Sequence, residues 1–241
     1  MKIWGIGLIA GMGALALGQP AVAADYGTAP ASYNWTGAYV GGQAGYGSGH
    51  TDAAPASFYN DSDGTSLAGT GPALSFGGDG FIGGAEAGYN WQTNNLVFGI
   101  VGDISAAGVR SSYSEQSFSV ESTLNWLSTA RLNLGLPVGN MLFYGTAGLA
   151  IGGVTSDLHD VYDGGSTILN SSHSGTGVGW AVGGGVAAAL GANWVLKGEY
   201  LYVDLGSQKN SYSEPSPGWP LITGSAKTTA SVVRLSLDYR F

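Results

Sequence analysis

Ser231-Val232-Val233-Arg234-Leu235-Ser236-Leu237-Asp238-Tyr239-Arg240-Phe241 alternates apolar and polar residues almost without a break. Successive side chains of a β-strand point to opposite faces. Val233, Leu235, Leu237, Tyr239 and Phe241 therefore share one wall, and Arg234, Ser236, Asp238 and Arg240 share the other. A soluble sandwich would turn the ionic wall to water. Here the same alternation returns in seven further segments behind a secretion-type leader, so the oily wall is read as facing lipid.

Composition agrees. The 241 residues include 43 Gly, no Cys and only 10% charged residues. A soluble domain carries about a quarter charged residues. Beyond the N-terminus nothing approaches the ~20 continuous apolar residues of a spanning helix. Low charge without a helical span is the signature of a barrel, where inward residues dilute the lipid-facing ones. Glycine at this density also opposes helices, costing about 1 kcal/mol per interior position, whereas strands use it where backbones bend or approach closely.

The first residues read as a signal peptide over 1–23. Lys2 supplies the n-region, Ile3 to Leu17 the apolar region, and Ala21-Val22-Ala23 the small-x-small cleavage site. Gly5, Gly7, Gly11 and Gly13 interrupt that segment and Pro20 ends it, which disfavours an uncleaved anchor. A short periplasmic arm is expected over 24–34 and the barrel over 35–241. With no Cys in an exported chain, stability has to come from a closed sheet and not from disulfides.

Turn signals mark eight strands, at 35–46, 80–92, 96–107, 122–138, 141–154, 177–190, 194–205 and 229–241. Most are near or slightly above the ~9–11 residues a tilted strand needs to cross a bilayer. Thr93-Asn94-Asn95, Gly139-Asn140 and Gly191-Ala192-Asn193 are tight hairpin turns. The other connections, 47–79, 108–121, 155–176 and 206–228, are long and polar. Short turns at one end and long loops at the other are the asymmetry of outer-membrane barrels. The expected fold is all-β: an eight-stranded antiparallel up-and-down transmembrane barrel with both termini in the periplasm. Trp35, Tyr89, Trp91, Trp126, Trp194, Tyr200, Tyr202, Tyr239 and Phe241 fall near strand ends, as interfacial girdles require.

Phasing each strand by its apolar residues turns Glu86, Asp103, Arg131, Lys197, Glu199, Arg234, Asp238 and Arg240 inward, four acids and four bases. Eight strands enclose too little space for an open water channel, so side chains fill the bore. Buried charges must then pair, and these eight are expected to form a structural ion-pair network. Counting from the short turns puts Glu86, Asp103, Arg131 and Arg234 near mid-height, with Glu199 slightly lower. Lys197, Asp238 and Arg240 fall nearer the periplasmic rim. A selective pore and a catalytic carboxylate pair are the competing uses of the same residues.

Without Lys2 the chain has seven bases against sixteen acids, and the cancelling interior leaves the surplus acid outside. Asp52, Asp61, Asp63, Asp79, Glu115, Glu121, Asp157, Asp160, Asp163 and Glu214 form an acidic outer crown. It attracts cations or basic partners and repels nucleic acid, and divalent ions could bridge it to lipopolysaccharide. Asp157, His159, Asp160 and Asp163 invite a metal site, but their spacing matches no ligand signature. No metal or cofactor is expected. Gly78-Asp79-Gly80-Phe81-Ile82-Gly83 fits a dinucleotide fingerprint without the surrounding βαβ unit.

Several segments resemble the outer-membrane β-barrel proteins (porin family, OmpA-like) of alphaproteobacteria, of the immunogenic outer-membrane protein type. They are Trp35-Thr36-Gly37-Ala38-Tyr39-Val40-Gly41-Gly42, Gly88-Tyr89-Asn90-Trp91-Gln92, Trp126-Leu127-Ser128-Thr129-Ala130-Arg131, Gly148-Leu149-Ala150, Gly198-Glu199-Tyr200-Leu201-Tyr202-Val203-Asp204-Leu205-Gly206, and Val233 to Phe241. The resemblance implies an eight-stranded barrel in the bacterial outer membrane with a structural, envelope-supporting and surface-antigen role. It also makes Phe241 the signal read by the barrel-assembly machinery. Val101 stands where relatives often carry a further inward acid. Some members bind haemin. Here the anionic propionates would meet an acidic crown, and no His/Tyr pair stands out in the loops. A non-enzymatic barrel leads, followed by a small-solute pore. A lipid-modifying enzyme would need a strand-anchored nucleophile and base on the outer rim, and all three histidines are expected in loops.

Overall fold

The computed structural model describes residues 33–54, 57–59, 69–70, 73–115, 118–162, 167–212 and 221–241. The expected signal peptide, most of the arm, and Asp61, Asp63, Asp163 and Glu214 lie outside the described residues.

The described residues fold as strands, with no helix among them. In chain order these are β1 (Gly37–Ala53), β2 (Ser57–Tyr59), β3 (Gly69–Thr70), β4 (Leu74–Thr93), β5 (Leu96–Glu115), β6 (Phe118–Val138), β7 (Met141–Tyr162), β8 (Thr167–Ala189), β9 (Trp194–Tyr212) and β10 (Leu221–Arg240). Each long strand pairs antiparallel with the next, and β1 pairs with β10, from Tyr39 opposite Arg240 to Ala53 opposite Ala226. Eight long strands thus close into a barrel, although on the long-connection side β8 and β9 part beyond Trp180 and Asp204. Beyond Ala53, β10 pairs instead with β2, Ser57 lying opposite Thr223.

The strands run 17 to 23 residues, far past the expected bounds, and absorb much of what reads as long loops. At about 3.3 Å per residue a 20-residue strand spans roughly 65 Å. The excess stands on the long-connection side. Those segments are poor in large apolar residues, so they lack the lipid-facing signature, yet Gly, Ser and Thr keep the ladder going. At the other end, Asn94 (φ 52°) and Gly139 (φ 62°) make the sharp reversals, in the left-handed region that Asn and Gly tolerate.

The outer wall is apolar and ends in rings at both levels. Near the short turns Trp91 stacks on Phe98 at 5.5 Å and Trp194 meets Tyr239 edge-on at 5.2 Å. Toward the other end Tyr46 meets Phe81 at 5.3 Å and Trp180 meets Tyr202 at 5.6 Å. Trp35 corrects the expected girdle. It precedes β1 on the inward parity and sits inside the bore, 2% exposed, beneath Val97, Leu142 and Val195.

The bore is layered. Leu124, Leu127, Leu201, Val203, Leu205 and Val232 pack into an apolar layer in the outward half. Trp35, Val97, Leu142, Ala187, Ala189 and Val195 form a second at the short-turn end. Asp103, Arg131, Glu199 and Arg234 lie between them, and Arg240 stands beside the chain's entry.

Candidate functional site

Arg131, on β6, is the hub of the charged layer. Its Nη1 donates to both Glu199 carboxylate oxygens at 2.9 Å, and its Nη2 to Asp103 Oδ2 at 2.9 Å. Its Nε donates to Thr129 Oγ1 at 2.8 Å. From the opposite wall Arg234 donates through Nε to Glu199 Oε1 at 2.8 Å and through Nη2 to Asp103 Oδ2 at 3.2 Å. Two guanidiniums and two carboxylates thus alternate in a closed quartet joining β5, β6, β9 and β10. Tyr144 adds a donor to Glu199 Oε2 at 3.0 Å.

A second cluster lies toward the short turns. Lys197 Nζ reaches Glu86 Oε1 at 2.6 Å and Asp238 Oδ2 at 2.7 Å, and lies 4.5 Å from the centroid of the Tyr39 ring. Glu86 therefore leaves the mid-height group in which simple counting places it. It stands in register with Asp103 on the neighbouring strand but reaches the lysine instead. The seam between β1 and β10 is shaped to this cluster: a Cβ on Gly41 would run into the Asp238 carboxylate, and one on Gly45 into the β10 backbone at Val233.

Arg240 lies on the inner wall but pairs with no acid among the described residues. Its Nη1 and Nη2 donate to the backbone carbonyls of Asn34 and Thr36 at 2.8 and 2.7 Å, and its guanidinium covers the Tyr33 ring at 4.9 Å. The reason is position: beside the chain's entry into the barrel, uncapped carbonyls are nearer than any carboxylate. It fastens the segment that carries Trp35, whose own N–H donates to Gln92 Oε1 at 2.8 Å. Phe241, expected as an assembly signal, points outward and is exposed.

The outer rim departs from expectation in one respect. His50, His159 and His173 all fall on strands, because the ladders continue past the membrane. His50 and Asp52 on β1 meet Ser75 on β4. Ser75 Oγ lies 2.9 Å from His50 Nε2 and donates to Asp52 Oδ1 at 2.9 Å, while the carboxylate stands 3.3 Å from the same ring nitrogen. A hydrolytic relay needs the acid on the base's other nitrogen, holding the tautomer that accepts the serine proton. Here acid and hydroxyl share one nitrogen and the serine proton goes to the acid. Elsewhere on the crown Asp79 accepts from Tyr46, Arg110 faces Glu121 at 3.9 Å, and Lys227 faces Asp204 at 3.0 Å.

Sequence comparison places these features in context. A family described as outer membrane protein beta-barrel domain matches residues 9–241. The chain is similar to the 31 kDa outer-membrane immunogenic protein of Brucella melitensis biotype 1, 34% identical over 221 residues, covering 87% of this chain and 85% of that protein. It is also similar to the 22 kDa outer membrane protein of Rhizobium leguminosarum bv. viciae, 36% identical over 138 residues, covering 55% and 58%. Among solved structures the outer membrane protease OmpT from Escherichia coli aligns at a TM-score of 0.52 and 9% identity, covering 87% of this chain and 98% of that one. That last likeness is one of fold alone.

Proposed function

This chain belongs to the outer membrane β-barrel family and resides in the bacterial outer membrane, and we propose that it is a non-enzymatic, solid-cored barrel that supports the envelope and presents its outer hairpins to the cell exterior. The observation that carries this reading is the layering of the bore. A quartet of paired charges is closed above by Leu124, Leu127, Leu201 and Val232 and below by Trp35, Val97 and Leu142. An ion entering would have to leave water, cross an apolar layer and break a satisfied ionic layer, each step costing several kcal/mol.

The charged residues act as cross-braces between opposite walls. Each acid is engaged by at least one base, which argues against a catalytic carboxylate pair. The arrangement of Ser75, His50 and Asp52 argues against hydrolysis at the rim. The Brucella relative is named an immunogenic outer-membrane protein, which supports surface presentation. Lipopolysaccharide is the neighbour chemistry predicts for the acidic crown, through divalent cations. β10 and the exposed Phe241 that follows it are the element for the assembly machinery to read.

Planar-bilayer recording on refolded protein tests the closed bore. The expected result is insertion without discrete conductance steps. Stable unitary currents would overturn the reading in favour of a solute pore.

A further inference from the structure

Four buried side-chain atoms, Trp35 Nε1, Asn133 Oδ1, Asp238 Oδ1 and Arg240 Nε, find no hydrogen-bond partner among the described residues, and all four belong to residues lining a single cavity. The cavity has a volume of about 20 Å³ and lies between the lower apolar layer and Lys197, with Tyr39 and Tyr144 in its wall. A buried polar group left unpaired is destabilising, and four of them meet here.

We propose that this cavity is a binding site for one water molecule, which joins the entry segment of the chain to the barrel wall. Indole and guanidinium nitrogens can only donate, and a carboxylate and an amide oxygen can only accept. The site therefore offers two donors and two acceptors, the set that a single water satisfies by accepting twice and donating twice. The size fits as well, because a water needs roughly 10–15 Å³ of such space and two to four polar partners. A phosphate, a haem or an acyl chain is too large. A metal cation would meet Lys197, Arg240 and the indole N–H. A halide would meet Asp238.

The position gives the water a mechanical role. Arg240 already holds the Asn34 and Thr36 carbonyls with its two terminal nitrogens. The water takes its remaining Nε and ties it to Trp35, to Asn133 on β6 and to Asp238 on β10. Trp35 is then gripped from both sides: its backbone by Gln92, its ring nitrogen through the water.

Water-to-protein NOE spectroscopy on ¹⁵N-labelled protein folded in lipid nanodiscs tests this, with Trp35→Phe assigning the Trp35 indole signal. The expected result is a cross-peak from the Trp35 indole N–H to a long-lived water, lost in Asn133→Leu, which removes an acceptor and fills the space while leaving the indole resonance in place. An indole without a long-lived water contact, or a contact unchanged in Asn133→Leu, overturns the proposal. If Asn133→Leu fails to fold, the cross-peak in the unaltered protein decides alone. Bilayer conductance separately decides the closed-bore reading, so failure of one is distinguishable from failure of the other.

Discussion

Arg131 illustrates how much of this protein rests on single side chains. Its guanidinium is fully buried and engages two carboxylates and the hydroxyls of Thr129 and Thr146 at once. Arg131→Ala leaves Asp103 and Glu199 to share Arg234, and breaking a buried pair in this way costs roughly 3–5 kcal/mol. Urea unfolding from lipid bilayers should show that loss. Arg131→Lys should recover only part of it, because an ammonium cannot reproduce the bidentate fork. Gly41 is the converse case, a residue chosen for what it lacks. Gly41→Ala should push the Asp238 carboxylate off Lys197, and the melting temperature of the folded barrel should fall accordingly. An unchanged melting temperature would mean that Asp238 has room to move.

At the level of elements, the short turns make the sharpest demands. Asn94 holds a positive φ between β4 and β5. Asn94→Gly should refold at least as well as the parent, while Asn94→Val should lose about 1–2 kcal/mol through left-handed strain, measured by the same urea titration. The three tight turns and the inward phase of all eight charges were legible because both follow from local rules: turn chemistry and a period of two. The upper ends of the strands were not. A segment such as 108–114 puts only Gly, Arg and Ser on its outward parity, which announces no membrane strand, and only cross-strand pairing extends it. Trp35 departs from the girdle for a related reason, since a lone aromatic near a strand end has no neighbours to fix its parity. Tyr39, Thr129 and Tyr144 share the inward phase of the charges they serve, and that phase alone could have found them. Which acid joins which base depends on side-chain reach across the bore, and register does not encode that.

For the whole molecule, two barriers in series predict a particular pattern. Leu127→Ala with Leu201→Ala thins the upper apolar layer and should cost about 2–5 kcal/mol per site, yet bilayers should stay silent while the charged quartet remains. Adding Arg131→Ala should bring the first measurable currents, and currents from the leucine pair alone would show that the ionic layer is no barrier. The seam between β1 and β10 has a further consequence. Three of the eight interior charges, Arg234, Asp238 and Arg240, arrive on the last strand, and β1 is stripped of side chains at Gly41 and Gly45 to receive them. A nascent polypeptide stopped short of β10 leaves two carboxylates contending for one guanidinium in a cylinder that cannot zip shut. Closure of the wall and neutrality of its interior are thereby made the same event, a built-in check on the seam before the barrel is sealed.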